Sequence, residues 1–87
     1  MIDGLQPSAP CESVLTDYDR RHATLYLRLL DAEAARAPWT QVASVLLGLD
    51  PEAQPEQARA VFDSHLQRAR WMASEGHRQM LAERERA

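Results

Sequence analysis

Apolar and polar positions alternate with a helical period from Thr16 to Ala37, the longest unbroken run of this kind in the chain. Tyr18, His22, Leu25, Leu29 and Ala32 form one stripe. Ala23, Leu27, Leu30 and Ala34 form a second beside it, with Tyr26 between the two. On a helical wheel the pair covers roughly 200°, against the ~100° of a one-sided amphipathic helix. Arg20, Arg21, Thr24, Arg28 and Asp31 fill the remainder. Thr16 is the expected N-cap, with Asp17 and Asp19 at the positive end of the helix dipole. Pro38 ends the run. A helix with so broad an apolar arc is either central in a bundle or packed on one side and offered to a partner on the other.

The pattern resumes as a short helix from Trp39 to Leu47, in which Trp39, Val42, Ala43, Leu46 and Leu47 share a face and Gly48 follows as a C′ residue. Leu49 to Pro55 holds two prolines and reads as an extended turn. A third helix is predicted from Pro55 or Glu56 to Ser74 or Glu75, closed by Gly76. Its stripe is Ala58, Val61, Phe62, His65, Leu66, Ala69, Met72 and Ala73. Residues 78–86 add a short helix through Met80 and Leu81. Residues 1–12 contain Gly4, Pro7 and Pro10 and show no period, so a mobile arm is expected there. The predicted organisation is a flexible arm over 1–12, a helix-turn-helix-like domain over 13–82 and a frayed tail over 83–87. The fold class is all-α: a small tri-helical helix-turn-helix variant with an extended turn and a short C-terminal helix.

A chain of 87 residues, 45% hydrophobic, is enough for one small domain with one modest core. No apolar run approaches the ~20 residues of a membrane span. The single cysteine, Cys11, has no internal partner, and with no leader pattern at the N-terminus this points to a reducing cytoplasm. The net charge is −3. The third helix sets Glu56, Asp63 and Glu75 against Arg59, Arg68 and Arg70, and Asp50 and Glu52 precede it. No segment is a basic stripe of the kind that neutralises phosphates, so weak or absent DNA binding is expected.

Catalytic chemistry finds little footing. Ser64 and His65 are adjacent, which on a helix points their side chains ~100° apart. Asp50, Glu52 and Glu56 lack the glycine of a calcium loop and read as a solvated turn. His22, His65 and His77 have no ligand-type partner one turn away. His22 and His65 fall on apolar stripes, where a partly buried histidine bonded to backbone is the expected role. No enzyme activity, metal or cofactor is expected. Arg59 and Arg70 share the face on which a helix-turn-helix carries its groove-reading side chains. With Arg68 they define the alternative reading, a small DNA-binding regulator. Trp39 and Trp71 read as packing residues.

Four strings carry a resemblance: Tyr18-Asp19-Arg20-Arg21-His22, Leu25 to Ala32 (LYLRLLDA), Leu47-Gly48-Leu49-Asp50-Pro51, and Ser64 to Met72 (SHLQRARWM). In that order they resemble the extended-turn helix-turn-helix family of proteobacterial mobile elements, also called the RovC-type DNA-binding domain. The likeness covers about residues 14 to 82. It implies a regulator of transcription, often encoded on integrative and conjugative elements. Activators of the family are basic on one side of this domain and join it to a second, N-terminal domain; other members are stand-alone and acidic. The negative charge here is similar to the stand-alone antiactivators. The resemblance therefore implies, as the partner, the N-terminal domain of a transcriptional activator of the FseA type; the periodic runs and the lack of a membrane span separately predict a monomer with no membrane involved.

The surplus stripe of the first helix, Ala23, Tyr26, Leu27 and Leu30, is the expected docking face, with Trp71 and Arg20 as the next candidates. The competing expectation is that the tail folds back over this stripe through Met80 and Leu81.

Overall fold

A computed structural model of the chain describes residues 1–86, with the Arg86 side chain and Ala87 outside the description. Every regular element among the described residues is helical. In chain order these are α1 (Asp17–Arg21), α2 (Ala23–Ala34), α3 (Trp39–Leu47), α4 (Pro55–Trp71), a π-helical turn (Met72–Gly76) and α5 (His77–Arg86). The all-α architecture follows the helical periods of the sequence. Three of its details do not.

The first is a break in the leading helix. α1 starts with a complete capping box: the Thr16 hydroxyl accepts from the Asp19 amide, and the Asp19 carboxylate accepts from the Thr16 amide. At His22 the backbone leaves the helical region (φ −109°, ψ 17°) and the imidazole Nδ1 lies 3.0 Å from the Tyr18 carbonyl oxygen. That carbonyl also accepts from the His22 amide at 3.0 Å. A side chain sharing a backbone acceptor in this way competes with the helical ladder. The helix then ends at Ala34 rather than Ala37. Arg36 takes a positive φ of 58°, and the Ala37 amide turns back to the Ala32 carbonyl, the bond of a Schellman closure.

The second concerns the far end. The predicted stop at Gly76 is replaced by a π turn that carries the helical path on into α5, so the last described residues of the expected frayed tail are helical. Gly76 lies within the π turn instead of acting as a cap. A Cβ there would lie 2.7 Å from Met72 Sδ and 3.1 Å from a Trp71 ring carbon, so the missing side chain admits close packing inside the turn. Thirty-two residues at 1.5 Å each give roughly 48 Å, close to the 46 Å long dimension of the molecule. The predicted tail 83–87 ends in Ala87, which lies outside the described residues.

The third is the arm. Residues 1–15 contain no helix, yet they are laid across the helices with Leu5, Ala9 and Leu15 buried. The polar side chains of the body hold their backbone. The Gln6 amide donates to the Tyr18 hydroxyl, the Ala9 amide to Ser64 Oγ, and the Leu15 amide to Gln79 Oε1. Hydrogen bonds of this type leave no trace in apolar periodicity, which is why the arm reads as unstructured in the sequence.

The core joins Tyr26 and Leu29 of α2, Val42, Ala43 and Leu47 of α3, and Val61, Phe62 and Ala69 of α4, closed by Met72, Leu5 and Leu15. Gly48 caps α3 in the left-handed region at φ +65°, as its position predicts, with the backbone of Ile2 close against it.

Candidate functional site

A buried ion pair joins α1 to α4. Arg68 of α4 and Asp19 of α1 are 4% and 0% exposed. Arg68 Nε donates to Asp19 Oδ1 at 2.9 Å and Nη2 donates to Oδ2 at 2.6 Å, the bidentate geometry that suits a guanidinium. The Tyr26 hydroxyl donates to the same Oδ1 at 3.0 Å, and the Thr16 amide donates to Oδ2 at 3.1 Å. The remaining donors of Arg68 reach the Glu12 carbonyl at 2.6 Å and the Val14 carbonyl at 3.0 Å, while its guanidinium stacks 3.7 Å above the Trp71 ring.

Burial alone pushes the Asp19 carboxyl up, but the bonds from Arg68, Thr16 and Tyr26 outweigh it and hold the group below the usual carboxylate range. The phenol of Tyr26 is pushed far up by burial and by its bond to Asp19, so it remains a donor.

Beside it lies a second buried chain of bonds. His65 is fully buried, its Nδ1 2.8 Å from the Val61 carbonyl and its Nε2 2.6 Å from the Tyr18 hydroxyl. With Nδ1–H donating to the carbonyl, Nε2 accepts from Tyr18, whose oxygen in turn accepts from the Gln6 amide. Burial pushes the imidazole below its ordinary value and keeps it neutral. No buried side-chain nitrogen or oxygen among the described residues lacks a partner.

This geometry corrects one of the sequence expectations. Arg68 was a candidate DNA contact and is instead enclosed on every side, because it lies at the helical register of Val61, His65 and Met72 and so faces inward. Arg59 donates to Asp63 at 3.1 Å and lies over the Trp39 and Phe62 rings, and Arg70 pairs with Glu33 of α2. All three arginines of the alternative reading are thus engaged with carboxylates of this chain. Asp50, of the acidic turn, accepts from the Ala53 amide through its side chain.

The residues singled out for docking behave differently from one another and meet at one place. Tyr26 is buried at 1% exposure, Ala23 and Leu30 are half-buried, and Leu27 is 63% exposed. All four line one open groove of about 420 Å³, and the opposite wall is Ala69, Met72, Ala73, His77 and Met80. The alternation of small and large side chains makes the floor: alanines at 23, 69 and 73 let the groove dip between Leu27, Leu30, Met72 and Met80. α5 flanks this groove instead of covering it, leaving Met80 and Leu81 exposed. Ala69 at the end of α4, the π turn and α5 supply that wall; the sequence predicts a short helix through Met80 and Leu81, and what it does not show is the π turn that joins this helix to α4 without a break at Gly76.

The two further candidates lie outside the groove. Arg20 pairs with Asp17 and with Glu83 of α5, and Trp71 is half-buried against Arg68. A second patch, between α2 and α3, sets Ala32, Ala37, Val42, Val45 and Leu46 beside Arg28, Asp31 and Gln41, with Val45 71% exposed.

No group of three or more His, Cys, Asp or Glu among the described residues is arranged to hold a metal ion. No helix among them is long and apolar enough to cross a membrane. The chain matches no protein-family model and no curated protein.

Proposed function

We propose that the chain is an antiactivator: a monomeric binding module that occupies the N-terminal domain of an FseA-type transcriptional activator and blocks activation of the transfer genes of a conjugative element. Within the family that the sequence resembles, this is the role of the stand-alone member QseM. The observation that carries the reading is the open apolar groove between α2 and the Met72–Met80 stretch. A cleft of that composition binds by burying apolar surface, and a few anchors supply most of the energy. The action is titration. A chain that holds the activator's partner domain leaves the activator's own domain without it, and no bond is made or broken.

The engagement of Arg59, Arg68 and Arg70 in ion pairs of the chain itself supports this reading over duplex binding, since phosphate contacts draw on free positive charge. Calorimetric titration against the activator's N-terminal domain tests it. The wild-type chain binds, and Leu27→Arg abolishes binding at an unchanged melting temperature. Absence of wild-type binding, or submicromolar affinity for duplex DNA in moderate salt, overturns it.

A further inference from the structure

We propose that Gln79 is a positioning residue for the groove, its side-chain amide clamping α5 to the Ser13–Leu15 segment and so setting the separation of the two walls. The inference rests on reading the groove as a docking surface and adds what holds that surface open to a defined width.

The two walls are anchored unequally. The α2 wall is continuous with the core through Tyr26 and Leu29, each 1% exposed. The other wall includes His77 and Met80 of α5, and α5 contributes nothing to the buried core. From His77 to Glu85 every residue is exposed except Gln79. What fastens this helix to the body is therefore polar. Gln79 Nε2 donates to the Ser13 carbonyl at 2.9 Å, and Gln79 Oε1 accepts from the Leu15 amide at 2.7 Å. Apart from the helical continuity through the π turn and the exposed Arg78–Glu75 pair at that joint, the other polar link among the described residues is the Arg20–Glu83 ion pair, whose partners are about half exposed and so add little.

The segment that Gln79 grips is itself fixed. Leu15 is buried, and Arg68 holds the carbonyls of Glu12 and Val14 on either side of Ser13. Arg68 also holds Asp19, which accepts from Tyr26 in the floor of the groove. Both walls are thereby referenced to one buried ion pair, the first through Tyr26 and the second through Gln79. The joint at which α5 departs from α4 is the π turn with Gly76, a place where helices bend. A carboxamide is the group this position requires, because it faces one backbone acceptor and one backbone donor at once. A carboxylate keeps the bond from Leu15 but sets its lone pairs against the Ser13 carbonyl.

The test is a distance measurement on the full chain with Cys11→Ser and spin labels on Arg28→Cys of α2 and Glu85→Cys of α5, all exposed positions. With Gln79 in place, pulsed EPR gives a single narrow distribution. Gln79→Ala broadens and lengthens it, Gln79→Glu falls between, and all three proteins melt alike. Affinity for the activator's N-terminal domain follows the same order; a wall in place a tenth of the time lowers it about tenfold. A broad distribution in the parent, an unchanged one in Gln79→Ala, or a melting temperature that falls in step with the broadening overturns the inference. If the parent fails to bind the activator domain, the docking reading is lost, and the distance distributions still decide the role of Gln79.

Discussion

Leu27 and Leu29 lie two residues apart on α2 and at opposite extremes, 63% and 1% exposed. The side that carries Leu29 is finished. Its apolar groups are enclosed, and its polar ones, Asp19, Tyr26, His65 and Arg68, have partners for their buried atoms. The side that carries Leu27 is left open, lined mostly by apolar side chains with none of the described residues over them. A single exposed leucine is ordinary. A contiguous set formed by Leu27, Leu30, Met72 and Met80 is how a surface looks when a second molecule completes it. The same helix therefore separates the work of folding from the work of recognition.

The largest effects should come from the finished side. Arg68→Met or Asp19→Asn leaves the other half of a buried pair unmatched, at a cost of ~3–5 kcal/mol in urea unfolding. Arg68→Met also frees the Glu12 and Val14 carbonyls, so the amides of residues 1–15 should exchange faster with solvent in that variant. Leu29→Ala, which empties a core position, should cost ~2–5 kcal/mol, and Phe62→Ala should cost a similar amount. Because a domain of this size has only ~5–15 kcal/mol in hand, each of these shifts the urea midpoint strongly.

An intermediate effect comes from pH. Neutral His65 has a folded value below its ordinary 6.5, so the unfolded chain binds more protons once the pH falls through that value. Stability should then decline from about pH 6.5 downward, and His65→Gln should flatten the decline. Asp19 acts lower on the scale. Its folded value lies below the ordinary 3.8, so its contribution is complete above that pH and is lost as acid protonates the folded carboxylate. Urea midpoints collected from pH 8 down to about pH 2 check both windows.

The smallest effect on stability belongs to the open side. Leu27→Arg should change unfolding by no more than ~0.5 kcal/mol, as a surface substitution does. Its consequence should appear in binding alone. A large loss of stability in this variant would move Leu27 into the core and end the contrast between the two sides.

How much of this was legible in the sequence depends on which physical rule applied. Helical periods gave α3 to the residue, because Pro38 and Gly48 bound it. Pro55 likewise opens α4 at its first helical position. The groove residues Ala23, Tyr26, Leu27 and Leu30 were readable as an arc wider than one packing face needs. The Asp19–Arg68 pair was not readable, since it joins residues forty-nine apart and no local period encodes such a contact. A signal was nonetheless present: Arg68 falls in register with Val61, His65 and Met72, so an arginine on an apolar stripe asks for a buried carboxylate. The packing of the arm is not legible because backbone-to-side-chain bonds hold it, nor is the break at His22, because a histidine in mid-helix has no distinctive pattern.

Site-specific photo-crosslinking compares the two exposed apolar faces of the molecule most directly. A benzophenone side chain replaces Leu27 in the groove or Val45 on the second patch, in a host that makes the activator. A crosslink from position 27 to the activator's N-terminal domain, and none from position 45, is expected. A crosslink from position 45 with none from position 27 would contradict it.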